Sequence, residues 1–324
     1  MATKFLIALV VAWFDLGGAA CAQTAGYPSR PIRFIVGFPP GGSTDVAARL
    51  IAPRLAERLG QPLQIEARAG AGGTIGVDTV AKAAPDGYTI GFGVSGALAV
   101  QAALRGGLPF DTLRDIAPVT LAVINPLVLV ANLDAPAASV RELITYTRPR
   151  PGAIAFGTGG SGTAMHLAGA MLNLMAEIEL VHVLYKGNGA AVAGLLGAQV
   201  PFAIVDLTSA KGFIRAGRVR ALGLTGAKRS PLAPGIPTIA ESGVPGFDVT
   251  SWFGVIAPGG TPADIVALLN AELLAAINSP DVREKLAAVG LEAAAGSSDD
   301  FGELIRSELR KYAKLVKSSG IRIE

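Results

Sequence analysis

Residues 36–45 read VGFPPGGSTD, a stretch with the composition of a strand end running through a stiff turn into a helix. The apolar run that precedes it, Arg33–Gly37, has the aromatic and β-branched content of a strand. Pro39 and Pro40 stiffen the turn, while Gly41 and Gly42 let backbone N–H groups face outward. Ser43 and Thr44 offer capping hydroxyls, and Asp45 falls in the first helical turn, where a carboxylate complements the helix dipole. Such a junction is an anion cradle made without a cation. It is not a phosphate-binding P-loop, because no lysine follows the glycines.

Outward from this junction the same alternation recurs. Strand candidates are Arg33–Gly37, Leu63–Ala67, Thr89–Gly93, Leu127–Ala131, Ala153–Phe156, Leu180–Tyr185, Val200–Val205, Val219–Thr225 and Val249–Ala257. Helix candidates between them are Thr44–Leu59, Gly76–Ala83, Val140–Arg148, Thr163–Ala176, Gly189–Leu196 and Thr208–Ala216. The alternation predicts parallel sheets covered by helices. The pattern then changes: Thr261-Pro262-Ala263-Asp264 opens a helix to Asn278, Ser298 opens another to about Ser318, and only a weak strand near Leu291–Ala295 lies between. A helical tail after a strand-rich middle implies a chain that leaves one domain and returns to finish it. Crossings near Leu121–Ile124 and Thr250–Phe253 give a discontinuous lobe, 27–122 plus 251–324, and an inserted lobe, 123–250. Two α/β lobes joined twice form a hinge, with a ligand expected between them at the carboxyl ends of the strands.

The inserted lobe has a matching stretch, FGTGGSGTAMH at 156–166, in which Gly157, Gly159 and Gly162 spell G-x-G-x-x-G. Thr158, Gly160, Ser161, Gly162 and Thr163 bring glycines and hydroxyls to a second helix start. Two such helix ends facing across a cleft suit a small carboxylate. Ser95 after the third strand, Lys186 after a strand of the inserted lobe and Asp206 at the end of its neighbour are further cleft candidates. A dinucleotide reading is disfavoured, since Glu177 and Glu179 precede the next strand instead of ending it. A serine hydrolase remains a remote alternative: Gly93-Val-Ser95-Gly-Ala97 has the look of a nucleophile elbow, and Gly159–Thr163 comes within one residue of it. The only histidines, His166 one turn into a helix and His182 in a β-patterned run, read as structural. Two histidines and one cysteine make no transition-metal set, and no cofactor is expected.

Composition agrees with this class. The 324 residues are 51% hydrophobic and 16% charged, enough for two domains with real cores and too apolar for disorder. A net charge of +3, scattered basic residues and 6% aromatics argue against a nucleic-acid surface. At the N-terminus, Lys4, the apolar stretch Phe5–Phe14 and Ala20-Cys21-Ala22 before Gln23 read as a cleaved signal peptide over 1–22, with Asp15 an awkward neighbour. The apolar run is far shorter than the roughly 20 residues of a membrane span. Gly18, Ala19 and Ala20 lack the leucine that a lipid-anchor signal at Cys21 usually carries. Removal of Cys21 would leave a mature chain without thiol or disulfide.

Segments along the whole mature chain resemble the tripartite tricarboxylate transporter substrate-binding proteins, the Bug family: YPSRPIRFIVGFPPGGSTD, ARAGAGGTIGVDTVAKAAPDGYTIGFG, LPFDTLRDIAPVT, FGTGGSGTAMHLAG, VHVLYKG, VRALGLTGAKRSP, IPTIAESGVPGF and SWFGVIAPGGTP, in that order. The resemblance implies a type II periplasmic-binding-protein fold, no catalysis, a periplasmic location, and transfer of a small organic carboxylate to a membrane permease. It places the ligand against Phe38, Gly41, Gly42, Ser43 and Asp45, and against Thr158, Gly160, Ser161, Gly162, Thr163 and His166, with Pro40 and Thr44 in the same first loop and Ser95, Lys186 and Asp206 as further contacts. Ala164 and Met165 stand where relatives often carry hydroxyls, and Ala67 where an asparagine commonly follows the glutamate. A monomer is expected. Transport receptor and periplasmic sensor input stay open as roles, because they differ by partner.

Overall fold

The computed structural model describes residues 26–105 and 107–319, so the expected signal peptide and its cleavage site lie outside the described residues. In chain order the elements begin β1 (Ile32–Val36), α1 (Ser43–Leu59), β2 (Leu63–Ala67), α2 (Thr74–Ala81), β3 (Thr89–Val94), and a π-helical turn Gly96–Val100 that runs into α3 (Gln101–Arg105). The middle comprises β4 (Ile116–Asn125), β5 (Leu127–Ala131), α4 (Val140–Thr147), β6 (Ile154–Thr158), α5 (Ala164–Ala176), β7 (Leu180–Leu184), α6 (Asn188–Leu196), β8 (Phe202–Asp206), α7 (Leu207–Arg215) and β9 (Arg220–Leu224). The chain closes with β10 (Ser251–Pro258), α8 (Ala263–Ile277), α9 (Pro280–Val289), β11 (Glu292–Ala293) and α10 (Ser298–Ser319).

Among the described residues the strands form two sheets, ordered β11-β4-β10-β3-β1-β2 and β7-β6-β8-β5-β9. Both are mixed, where the βα alternation predicts parallel pairing. In the first, β10 runs antiparallel to β3 and β4; in the second, β5 runs antiparallel to β8 and β9. Strands β10 and β5 are each the first one laid down after the chain changes lobe; the two-residue edge strand β11, also antiparallel to β4, follows later. The βα units point their strands' carboxyl ends at the other lobe, so a strand arriving straight from that lobe starts at the cleft and runs the opposite way.

Three elements differ from the sequence reading. The ten-residue β4 escapes detection because Pro118 and an irregular burial pattern hide its alternation. Helix α9 follows Ser279-Pro280, a proline start overlooked among charged residues. The helical stretch from Gly96 is wholly buried through Val100 and lacks the polar face that marks a surface helix.

Each sheet is covered on both faces. Strand β5 shows how: Leu127, Leu129 and Ala131 join one hydrophobic cluster with α4 and α5, while Val128 and Val130 join another with α6 and α7. A continuous apolar run is what a strand buried on both faces requires. The first lobe has its own core around Phe34, Phe92, Val255, Leu269 and Leu286. Helix α10 serves both lobes. Phe301 and Ile305 pack in the first core, and two turns later Tyr312 is fully buried in the second. Beside it the Lys311 ammonium meets Asp248 at 3.1 Å.

Candidate ligand-binding site

Five helical segments start at the carboxyl ends of β1, β3, β6, β7 and β8, and their first turns converge on one cavity of about 290 Å³. Its walls are Gly42, Ser43 and Thr44 of α1, Ser95 and Gly96, Thr163, Ala164 and Met165 of α5, Gly187 to Ala190 of α6, and Ser209 of α7. The floor is the cleft end of the first sheet. Val94 lies opposite Phe253 and Asn125 opposite Ser251 in register, so the alternation of β10 turns all four to the same side. Phe38, Pro39, Pro40 and Gly41 close the site from the first loop.

The helix starts differ in how they are capped. Thr163 accepts from the His166 N–H at 3.3 Å and Asp206 from the Ser209 N–H at 2.8 Å, so α5 and α7 have side-chain caps. Gly42, Ser95 and Gly187 stand at the caps of α1, the π-helical turn and α6, and none makes a side-chain cap bond. The first amides of a helix have no partner within it, and each aligned helix contributes roughly half a positive charge at its start. Several such ends around a small cavity make an anion site.

Asp206 organises the far wall. Its carboxylate is buried and accepts from Ser43 Oγ and from Asn188 Nδ2, both at 2.6 Å, in addition to Ser209 N. One acid thus ties the starts of α1, α6 and α7. Asp45 turns away from the cavity. It accepts from Gly41 N and Arg49 Nε, both at 2.9 Å, and fixes the proline-glycine loop from behind, where Gly41 adopts φ +82°. Burial pushes the Asp45 carboxyl up, but the Arg49 and Gly41 hydrogen bonds outweigh it and hold the group below the usual carboxylate range.

Phe38, Pro40, Gly41, Gly42, Ser43, Thr44, Ser95, Thr163 and Lys186 line the cavity, with Lys186 exposed at its mouth. Thr158, Gly160, Ser161, Gly162 and His166 stand behind that wall. The His166 and His182 rings stack with centroids 3.8 Å apart, Gly162 N donates to His166 Nδ1 at 3.3 Å, and His182 Nε2 lies 2.6 Å from Thr158 Oγ1. Burial, then the neighbouring His182, lowers the His166 pKa to about 4, and burial lowers that of His182. The glycine fingerprint has a packing explanation. A Cβ on Gly157 would meet the Tyr185 ring at 2.9 Å, one on Gly159 would meet Asn188, and Gly162 needs φ +69°. Gly162 and Ser161 also abut the first lobe: a Cβ on Gly96 would lie 3.2 Å from Gly162 O, and one on Gly72 would lie 2.7 Å from Ser161 O.

Three buried polar side chains on the cavity wall, Thr44 Oγ1, Ser95 Oγ and both terminal atoms of Asn125, make no hydrogen bond among the described residues. Buried polar groups are normally paired, so their convergence on one cavity points to a ligand. The Ser95 hydroxyl makes no hydrogen bond to either histidine, and His166 and His182 are engaged with each other, Gly162 and Thr158. Sequence reading missed Asn125, Asn188, Ser209, Ser251 and Phe253. Asn188, directly after Lys186-Gly187 at a helix start, carried a usable signal; the floor residues become visible only once β10 and β4 are paired.

Residues 47–321 match the tripartite tricarboxylate transporter family receptor. The protein BugT of Bordetella pertussis is 39% identical over 323 residues, spanning 99% of each chain. Two solved structures from Rhodopseudomonas palustris superpose closely. Rpa4515 with adipate is 36% identical with a TM-score of 0.86, covering 91% of this chain and 99% of that one; MatC with bound malate is 33% identical with a TM-score of 0.84, covering 90% and 100%. With two α/β lobes in the periplasmic-binding arrangement and a match over most of its length, the chain belongs to the tripartite tricarboxylate transporter receptor family, whose members are solute-binding receptors.

Proposed function

We propose that this protein is an exported periplasmic receptor, monomeric and without cofactor or catalysis, that closes its two lobes over a small organic carboxylate and delivers it to a tripartite tricarboxylate-type membrane permease. In this reading residues 1–22 are the signal peptide, 27–122 plus 251–324 form one moving body and 123–250 the other. The single observation that carries the reading is the convergence of helix starts, three of them uncapped by side chains, on a cavity whose Thr44, Ser95 and Asn125 lack partners. The first loop (Phe38, Pro40, Gly41, Gly42, Ser43, Thr44), Ser95 and Thr163 contact the ligand, and Lys186 stands at the entrance. Asp45, Thr158, Gly160, Ser161, Gly162, His166 and Asp206 shape the wall from behind. Adipate and malate in two relatives set the scale of ligand to try first.

The test is a thermal-shift screen of the mature protein against organic acids, followed by small-angle scattering and recovery of the ligand. A ligand at 100 times its dissociation constant stabilises by about 2.7 kcal/mol. Stabilisation by a carboxylate, a smaller radius of gyration and an unaltered ligand support the reading; conversion of the ligand to a product overturns it. Transport is tested separately, by loss of uptake when the permease gene is deleted.

A further inference from the structure

Asn125 lies at the end of β4, on the cavity floor, with no exposed surface, and neither its Oδ1 nor its Nδ2 has a hydrogen-bond partner among the described residues. This is a different demand from that of the helix starts. Backbone amides only donate, and a carboxylate, which only accepts, satisfies them fully. An asparagine amide both donates through Nδ2 and accepts through Oδ1. A carboxylate meeting Asn125 leaves Oδ1 unpaired, and two acceptors facing each other are repulsive. The residues around Asn125 do not relieve it: Ser251, opposite it on β10, makes no hydrogen bond to it, and Val94 and Phe253 on the same floor are apolar. Exchanging the two amide atoms changes nothing, because both lack a partner.

We propose that Asn125 reads a second ligand group that both donates and accepts, a hydroxyl or a carboxamide, so that the preferred ligand of this receptor is a carboxylate substituted with such a group instead of a plain one. The inference rests on the carboxylate-receptor reading above and deepens it. Phe38, Val94, Met165 and Phe253 leave an apolar stretch of wall for the hydrocarbon body of the ligand. A site with a buried polar group rejects an analogue that lacks the complementary group, because the unpaired amide remains desolvated.

Calorimetric titration of the mature protein with matched pairs tests this: succinate against malate, glutarate against 2-hydroxyglutarate, and adipate against adipamate. The expected result is at least about tenfold tighter binding of the substituted member in one pair or more, and which substituent wins separates hydroxyl from carboxamide. In Asn125→Leu, similar in volume and without hydrogen-bonding atoms, that ratio falls to near one. The comparison in the unmutated protein stands even where the variant fails to fold. Plain and substituted members binding equally well would mean that water satisfies Asn125, and would overturn this inference while leaving the receptor reading intact. Binding of no carboxylate in any pair removes the receptor reading and this inference with it.

Discussion

Ser43, the residue directly after the glycine pair of the first loop, donates its hydroxyl proton to Asp206 of the opposite lobe at 2.6 Å, and this bond spans the cleft beside the cavity. The hydroxyl that sequence reasoning assigned to the ligand is engaged by the protein itself. Asp206 keeps Asn188 and Ser209 as donors within its own lobe, so in the proposed closure the Ser43 bond is the one that would depend on the lobes meeting.

Ser43→Ala should therefore weaken ligand binding by about 1.5–3 kcal/mol, the usual worth of a hydrogen bond to a charged group. The loss should lie mainly in a faster dissociation rate, since the bond forms only after the lobes meet. Calorimetry and stopped-flow dissociation measure both. Unchanged affinity and rate in Ser43→Ala would show that the bond is not part of closure.

Lys186 is the cation at the cavity mouth, and it is exposed. Lys186→Ala should cost no more than about 1 kcal/mol, as expected for an exposed ionic contact, and should reduce the salt dependence of association. Titrations at low and high salt decide it. Complete loss of binding in this variant would shift the charge-holding role from the helix starts to the lysine.

Thr163→Val removes the cap of α5, taking away the acceptor for His166 N and the donor to Gly160 O. Urea denaturation should register a stability loss of about 0.5–2 kcal/mol. Thr163 also lines the cavity, so affinity should fall in the same variant.

The stacked histidines predict a pH effect of definite sign. His166 titrates near 4 in the folded protein against an unfolded value near 6.5, and His182 is shifted in the same direction. Between those values the unfolded chain binds protons that the folded chain does not, so stability is full above about pH 6.5 and declines as pH falls towards 4. Protonating His166 Nδ1 would also remove the acceptor for Gly162 N. Thermal melts from pH 7 to 4 should fall steadily, and His166→Gln should flatten the curve. A melting temperature constant over this range would remove the neutral buried pair.

Much of the architecture was written locally. VGFPPGGSTD specified a strand, a turn and a helix start within ten residues, and Leu63–Ala67 and Leu127–Ala131 were bounded correctly because short apolar runs between turn residues have few other readings. The strand directions were not legible, since the reversal of β5 and β10 follows from the path of the chain between lobes and not from any residue in them. The site divides the same way. Ser43, Thr44, Ser95 and Thr163 advertise themselves as hydroxyls at helix starts, whereas Asn125 and Phe253 lie in strands and reach the cavity only through pairing across β10. Asp206 was visible as an acid at a strand end, yet its engagement with Ser43 depends on a contact 163 residues distant in the chain.

At the near-contacts of Gly96 with Gly162 and of Gly72 with Ser161 the two lobes meet main chain to main chain, with the Gln101 side chain packed beside them. Side chains at such a seam could swing aside to admit a larger guest; peptide backbone cannot. In the proposed closure the jaws would act as a caliper with a fixed stop, and a molecule slightly too thick would hold them ajar, keeping Ser43 from Asp206 however many hydrogen bonds it makes inside. Selection by girth then precedes selection by polarity, and a wedge such as Gly96→Val should turn a good ligand into one that enters and leaves without ever being enclosed.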